Sequence, residues 1–323
     1  MTSRTKISAL RLVYPPISNQ ESAWLRKDPE VEKRMRMSDF YMIAGRAEML
    51  FDEVRADPNT GVVNVDIRLT TGLADSGEIR MRELPGVADS DAEAIVLQTG
   101  QKIVKMVDRD ADQTDEPLDW FSTEKLLFDR WRGRTGIAGF ERYRDFATYE
   151  LLYVGIADER DSFDRVIASD HKKRLDILTN EMQRFATSRV TDEVYLFLFA
   201  VEPLFITTFD VEEDVTEDAL SDMPVPAKQI VKDAERAFIK LMDPVYNDTK
   251  YKSYPKGKPN LKATGIDRYA YVIGEDITFD APGGRMRGGW DPILGWSNAA
   301  DAITVADGKL QFFRAGDLSE PAD

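Results

Sequence analysis

The sequence predicts an α+β protein, with a small antiparallel central sheet flanked by helices and a separate α+β domain ahead of it. Three observations carry that prediction. Residues 62–69 alternate apolar and polar side chains (Val63, Val65, Ile67, Leu69), the period of a half-buried strand. Residues 150–156 and 194–201 are short apolar runs of the length of buried strands. Residues 227–242 gather their apolar groups on one helical face and stop before Pro244.

The elements follow in order. Asp28-Pro29 reads as a helix N-cap followed by proline at the first helical position. The stretch behind it, 28–54, carries Met35, Met42, Ala44, Met49 and Leu50 and is read as helix. Residues 57–61 (Asp-Pro-Asn-Thr-Gly) form a turn before the alternating strand. One or two further strands lie in 95–107, and 108–116 is an acidic loop. Residues 122–132 read as a helix packed by Trp120, Leu126, Leu127 and Trp131.

The glycine-rich stretch 133–139 marks a boundary, giving an N-terminal domain of residues 1–138 and a second of 139–323. In the second, 163–185 is expected to be one long helix with a stripe at Ile167, Leu175, Leu178, Met182 and Phe185. Residues 204–209 could pair with the strand at 194–200. Residues 210–222 hold seven acids and no base, a solvated insertion. Strand-like pieces at 269–273, 277–279 and 309–313 make a β-rich C-terminal extension.

Composition narrows the chemistry. The chain of 323 residues contains no cysteine and one histidine, which excludes disulfides, thiolate nucleophiles and zinc–thiolate sites. No Walker-type loop, nucleophile elbow or dinucleotide fingerprint occurs. No long apolar run opens the chain, and no window approaches about 18 apolar residues, so neither a signal peptide nor a membrane helix is expected and the cytoplasm is the expected compartment. The formal charge of −15 repels phosphate backbones, so any nucleic-acid contact has to come from a local basic patch.

Four features in the second half occur in a telling order. Tyr153-Val154-Gly155 ends an apolar strand, and Arg165 follows ten residues after Gly155. Glu235 then sits on the amphipathic helix, and Pro244-Val-Tyr-Asn247 leaves it. This succession resembles the GIY-YIG nuclease family over about 110 residues. The resemblance implies a metal-dependent endonuclease that hydrolyses phosphodiester bonds, in DNA first of all. Its metal ligand would be Glu235, with Mg²⁺ or Mn²⁺ as the ion. Arg165 would clamp the phosphate, and a tyrosine would help to activate water. Tyr143, ten residues before Tyr153, keeps the spacing of the first-motif tyrosine, with Tyr149 as its rival. His171 is either a phosphate-contacting or water-activating group or a hydrogen-bonded histidine of a helix interface. Glu235 lies at the edge of the apolar face, where it binds metal or pairs with Lys232 or Lys240.

Beyond Asn247, residues 250–262 contain five lysines and no acid. Lys250, Lys252, Tyr254, Lys256 and Lys258 are the expected nucleic-acid contacts, combining phosphate neutralisation with base stacking. The Gly283–Arg–Met–Arg–Gly289 run could add an anion-binding turn. A catalytically inactive nucleic-acid-binding or scaffold protein of the same fold is the alternative. No membrane partner is expected. The first domain is left with target or protein-partner recognition, and defence against foreign DNA is a guess by analogy.

Overall fold

Asp28 and Pro29 do begin a helix, but a short one. In this computed structural model Asp28 accepts from the amides of Glu30 and Val31, and helix α2 (Pro29–Met35), which follows α1 (Asn19–Leu25), stops two turns later. The chain then enters a strand, not more helix. The structure describes residues 3–110, 116–157, 161–169, 171–208, 225–256, 261, 266 and 268–318. The acidic stretch 210–222 and Lys258 lie outside them.

Ten strands precede the predicted boundary or touch it. They are β1 (Ser3–Leu12), β2 (Ile17–Ser18), β3 (Phe40–Gly45), β4 (Met49–Asp57), β5 (Val62–Leu69), β6 (Ala74–Arg80), β7 (Ile95–Thr99), β8 (Ile103–Asp108), β9 (Asp119–Ser122) and β10 (Ile137–Gly139). Seven follow: β11 (Thr148–Ile156), β12 (Val194–Thr208), β13 (Arg268–Ile273), β14 (Thr278–Ala281), β15 (Gly284–Arg287), β16 (Ala302–Ala306) and β17 (Lys309–Phe313). The other long helices are α3 (Thr123–Trp131), α4 (Lys172–Asn180) and α5 (Ala227–Met242).

The protein is α+β, but its main sheet is neither small nor purely antiparallel. Ten strands run β15-β14-β11-β3-β12-β1-β13-β16-β17, with β2 added to β12. β1/β13 and β11/β14 are parallel and the other pairs antiparallel. Two smaller antiparallel sheets, β10-β6-β5-β4 and β7-β8-β9, complete the structure. The division at residues 138/139 does not separate two packing units. β3 is hydrogen-bonded between β11 and β12, and β1 between β12 and β13, so strands from both sides of that point alternate in one sheet. The glycine-rich stretch is no linker either, since β10 pairs with β6.

Strand β3 explains how the layers form. All six of its residues are buried. Phe40, Met42 and Ala44 face one core with the α5 residues Ala234, Phe238 and Ile239, while Tyr41 and Ile43 face another with Phe163, Val166 and Ile177. A strand covered on both faces reads as a continuous apolar run, without alternation. Burial of each such side chain contributes roughly 1.5–3 kcal/mol.

The expected long helix over 163–185 is broken. A π-helical turn (Asp164–Ala168) ends where Ser169 becomes extended, its hydroxyl donating to the carbonyls of Asp164 and Arg165. His171 then caps the separate helix α4. Leu175, Met182 and Phe185 are exposed, so no continuous apolar stripe exists to hold one helix together. Among the described residues, no helix is long and apolar enough to cross a membrane.

Candidate active site

Tyr41 and Tyr153 meet because of the β3–β11 pairing and one irregularity in it. Tyr41 pairs with Gly155, and a bulge falls between Leu151 and Tyr153. Without it Tyr153 would share the face of Tyr149 and Leu151. The extra residue turns it to the opposite face, beside Tyr41, as bulges re-aim side chains elsewhere. The two rings stack with centroids 6.0 Å apart. They lie directly on Gly155: a Cβ there would come within 2.5 Å of the Tyr41 hydroxyl and 2.8 Å of the Tyr153 ring. That contact explains the glycine in Tyr-Val-Gly.

The other groups arrive from three elements. The π-turn presents Arg165, and Arg36 pins that turn by pairing with Asp161 (2.8 Å) and Asp164 (3.0 Å). Helix α5 presents Glu235. The segment after α5 is fixed to the outer edge of β11. The buried Asn247 amide accepts from the Val154 N–H (3.0 Å) and donates to the Val154 carbonyl (2.8 Å), while the Tyr246 N–H donates to the Leu152 carbonyl (3.0 Å). The Pro-x-Tyr-Asn exit thus continues the sheet by one short rung and sets α5 against the tyrosines.

Together these elements enclose a cleft of about 660 Å³. Its lining brings together Tyr41, Tyr153, Arg165, Glu235, Lys232 and Arg236, and includes Asp164 and Tyr251. Three cations face two carboxylates here, in a chain of 43 bases and 58 acids. Tyr251 stands 3.5 Å from the Glu235 carboxylate.

His171 sets the polarity of the hydrogen bonds. Its Nδ1 accepts from the Arg174 amide (3.0 Å), and its Nε2 lies 2.9 Å from the Tyr41 hydroxyl. Burial, with Arg165 and Arg174 adding to it, lowers its pKa to about 4, so the ring is neutral near pH 7. With Nδ1 an acceptor, the proton is assigned to Nε2, which donates to Tyr41. Tyr41 in turn stacks on Tyr153. Burial pushes both tyrosines above the ordinary phenol value, and Arg165 opposes that shift at each.

Several expected site residues lie elsewhere. Tyr143 donates to Asp276 (2.7 Å) and does not line the cleft. It sits in a short helical turn before β11, so its sequence spacing puts it on a different surface. Tyr149 is sealed in the core against Arg46. Tyr254 cannot stack on a base: it is 8% exposed and donates to buried Asp233. Lys250 pairs with Asp243 (2.8 Å), while Lys252 and Lys256 are exposed. Arg285 of the glycine–arginine run is held by both oxygens of Asp280.

Tyr41 and Arg236 were missed, and Lys232, expected only as a pairing partner of Glu235, lines the cleft as well. A signal for Tyr41 was present, in that residues 40–45 (Phe-Tyr-Met-Ile-Ala-Gly) form an unbroken apolar run of strand length closed by glycine. Lys228, Lys232 and Arg236 recur every four residues on α5, one face of a helix.

Among the described residues, no three histidine, aspartate or glutamate side chains converge to cage a metal. Of the two carboxylates on the cleft, Glu235 could serve a hard divalent ion that keeps most of its water. Comparison with protein-family models, curated proteins and solved structures found no match to this chain.

Proposed function

We propose that the chain is a metal-dependent endonuclease of GIY-YIG type acting on nucleic acid, DNA first of all, with its first tyrosine supplied by β3 as Tyr41. The observation that carries this reading is the meeting of Tyr41, Tyr153, Arg165 and Glu235 in one locally basic cleft. Arg165, Lys232 and Arg236 bind and orient the phosphate, Arg165 by the two-pronged contact a guanidinium makes with phosphate oxygens. Glu235 would hold Mg²⁺ or Mn²⁺, and the bound ion would neutralise charge on the scissile phosphate and its leaving oxygen. Neutral His171 holds Tyr41 in place, and Tyr41 stacks on Tyr153. Tyr153, whose ionised form the Arg165 charge favours, would give up its proton to the cleft and accept one from water.

One observation favours a second reading, a nucleic-acid-binding protein without hydrolysis: burial keeps both phenols protonated near neutrality in the protein alone. Plasmid nicking with Mg²⁺ or Mn²⁺ decides between them. Hydrolysis predicts nicking by the wild type that disappears in Glu235→Gln. Nicking that persists at wild-type level in that variant sinks the assignment. Binding without nicking by the wild type selects the second reading.

A further inference from the structure

His171 also lines a second hollow of about 250 Å³, which meets the cleft at Ser169. Its polar lining is Arg26, Arg174, Ser22, Ser169 and His171, and no carboxylate lines it among the described residues. That is unusual in so acidic a chain. Arg174 donates from Nε to the Asn19 amide oxygen (2.5 Å), from one terminal nitrogen to the Val166 carbonyl (2.5 Å) and from the other to the Ser22 hydroxyl (2.7 Å). All three acceptors are neutral.

Arg46, Arg132 and Arg134, also sheltered, each meet a carboxylate (Glu124, Glu275 and Asp119). Among the described residues Arg174 meets none, and the charge that acts on it is that of Arg26. Burial and Arg26 together lower the Arg174 pKa to about 10. A sheltered cation facing a second cation is costly unless an anion joins them. A guanidinium has five N–H groups. The three bonds above leave Arg174 one on each terminal nitrogen, the fork that fits two oxygens of one anion. The N-terminus of α4 is not the attraction, because His171 Nδ1 already takes the Arg174 amide.

We propose that this hollow is a phosphate-binding site, with the Arg174 fork as its floor and Arg26 as a second cation at its mouth. It stands on its own residues and does not need the cleft to be a nuclease. The phosphate is either free or part of a nucleic-acid strand that passes Ser169 from the cleft.

Calorimetric titration of inorganic phosphate into the full-length chain, without divalent metal, is the first arm of the test. Saturable binding that weakens about tenfold in Arg26→Ala and in Arg174→Lys, which keeps the charge but loses the fork, establishes a free-phosphate site. The second arm follows a fluorescent single-stranded oligonucleotide binding to Glu235→Gln protein at several salt concentrations. A log–log salt slope that falls by about 0.7 on adding Arg26→Ala places a strand phosphate in the hollow. The proposal is overturned by phosphate binding that neither substitution changes, or by no phosphate binding together with an unchanged slope or no oligonucleotide binding. Arg26 is exposed, so Arg26→Ala keeps both arms readable if Arg174→Lys fails to fold. Failure of nicking leaves the first arm untouched, so the two proposals fail separately.

Discussion

Strands β3, β11 and β12 bear on two polar clusters that finish differently. Just past β3, Arg46 is 5% exposed and spends all five N–H groups inside the protein. It donates to the Ala47 and Phe146 carbonyls, the Tyr149 and Tyr195 hydroxyls and the Glu124 carboxylate (2.6 Å). Four residues along β11 from Tyr149, Tyr153 packs its ring against Tyr41 and His171 at the edge of a cleft that exposed Arg165 and Glu235 also line. Both clusters hold tyrosines, an arginine and a glutamate. The first is closed and serves packing and register. The second leaves cationic and acidic groups facing a space that a phosphate fits.

Substitutions should therefore separate stability from chemistry. The largest effect is expected in the closed cluster: Glu124→Ala leaves a buried guanidinium without its counter-charge and costs about 3–5 kcal/mol. Urea unfolding should show that loss, while nicking per folded molecule stays at the wild-type level. In the open cluster Arg165→Ala should do the reverse. It should slow nicking by about 10²–10³-fold, as loss of one transition-state charge partner does, and shift stability by no more than about 0.5 kcal/mol.

The histidine links the two properties through pH. Its folded pKa of about 4 lies below the ordinary value of about 6.5. The unfolded chain thus binds the proton more readily, and the stability His171 confers is complete above about pH 6.5 and drains away as pH falls toward 4. The loss across that window is on the order of 2–3 kcal/mol. His171→Asn, which can still cap α4, should flatten the dependence, and urea midpoints on either side of the window measure it. The smallest effect is expected at Asn247. Truncation to alanine strands the Val154 N–H and carbonyl, for about 1–3 kcal/mol, and loosens α5 against β11. A lower kcat with unchanged KM would show that Glu235 had shifted.

Local chemistry was legible in the sequence and distant pairing was not. The Asp28–Pro29 cap, the alternation in β5 and the amphipathic face of α5 are written within a few residues, and each is present. So were Tyr153, Arg165, His171 and Glu235 as candidates, all of which the structure gathers around the cleft. Tyr41 was not, because it lies 112 positions before Tyr153 and the two come together only through strand pairing and a bulge. The unbroken apolar run 40–45 fits a buried stretch of helix as well as a strand covered on both faces, so β3 passed for the tail of a helix. The lysine-rich segment misled for a related reason: Lys250 and Tyr254 spend their polar groups on Asp243 and Asp233, while the cations of the cleft are Arg165 from the π-turn and Lys232 and Arg236 from α5.

That β3 supplies the first tyrosine is tested most directly by nicking rates of Tyr41→Phe and Tyr143→Phe, each of which removes one hydroxyl and keeps the ring. Tyr41→Phe should lose about 10²-fold or more in kcat, and Tyr143→Phe should match the wild type. A silent Tyr41→Phe, or a crippled Tyr143→Phe, would contradict the assembly of the site from β3 and β11.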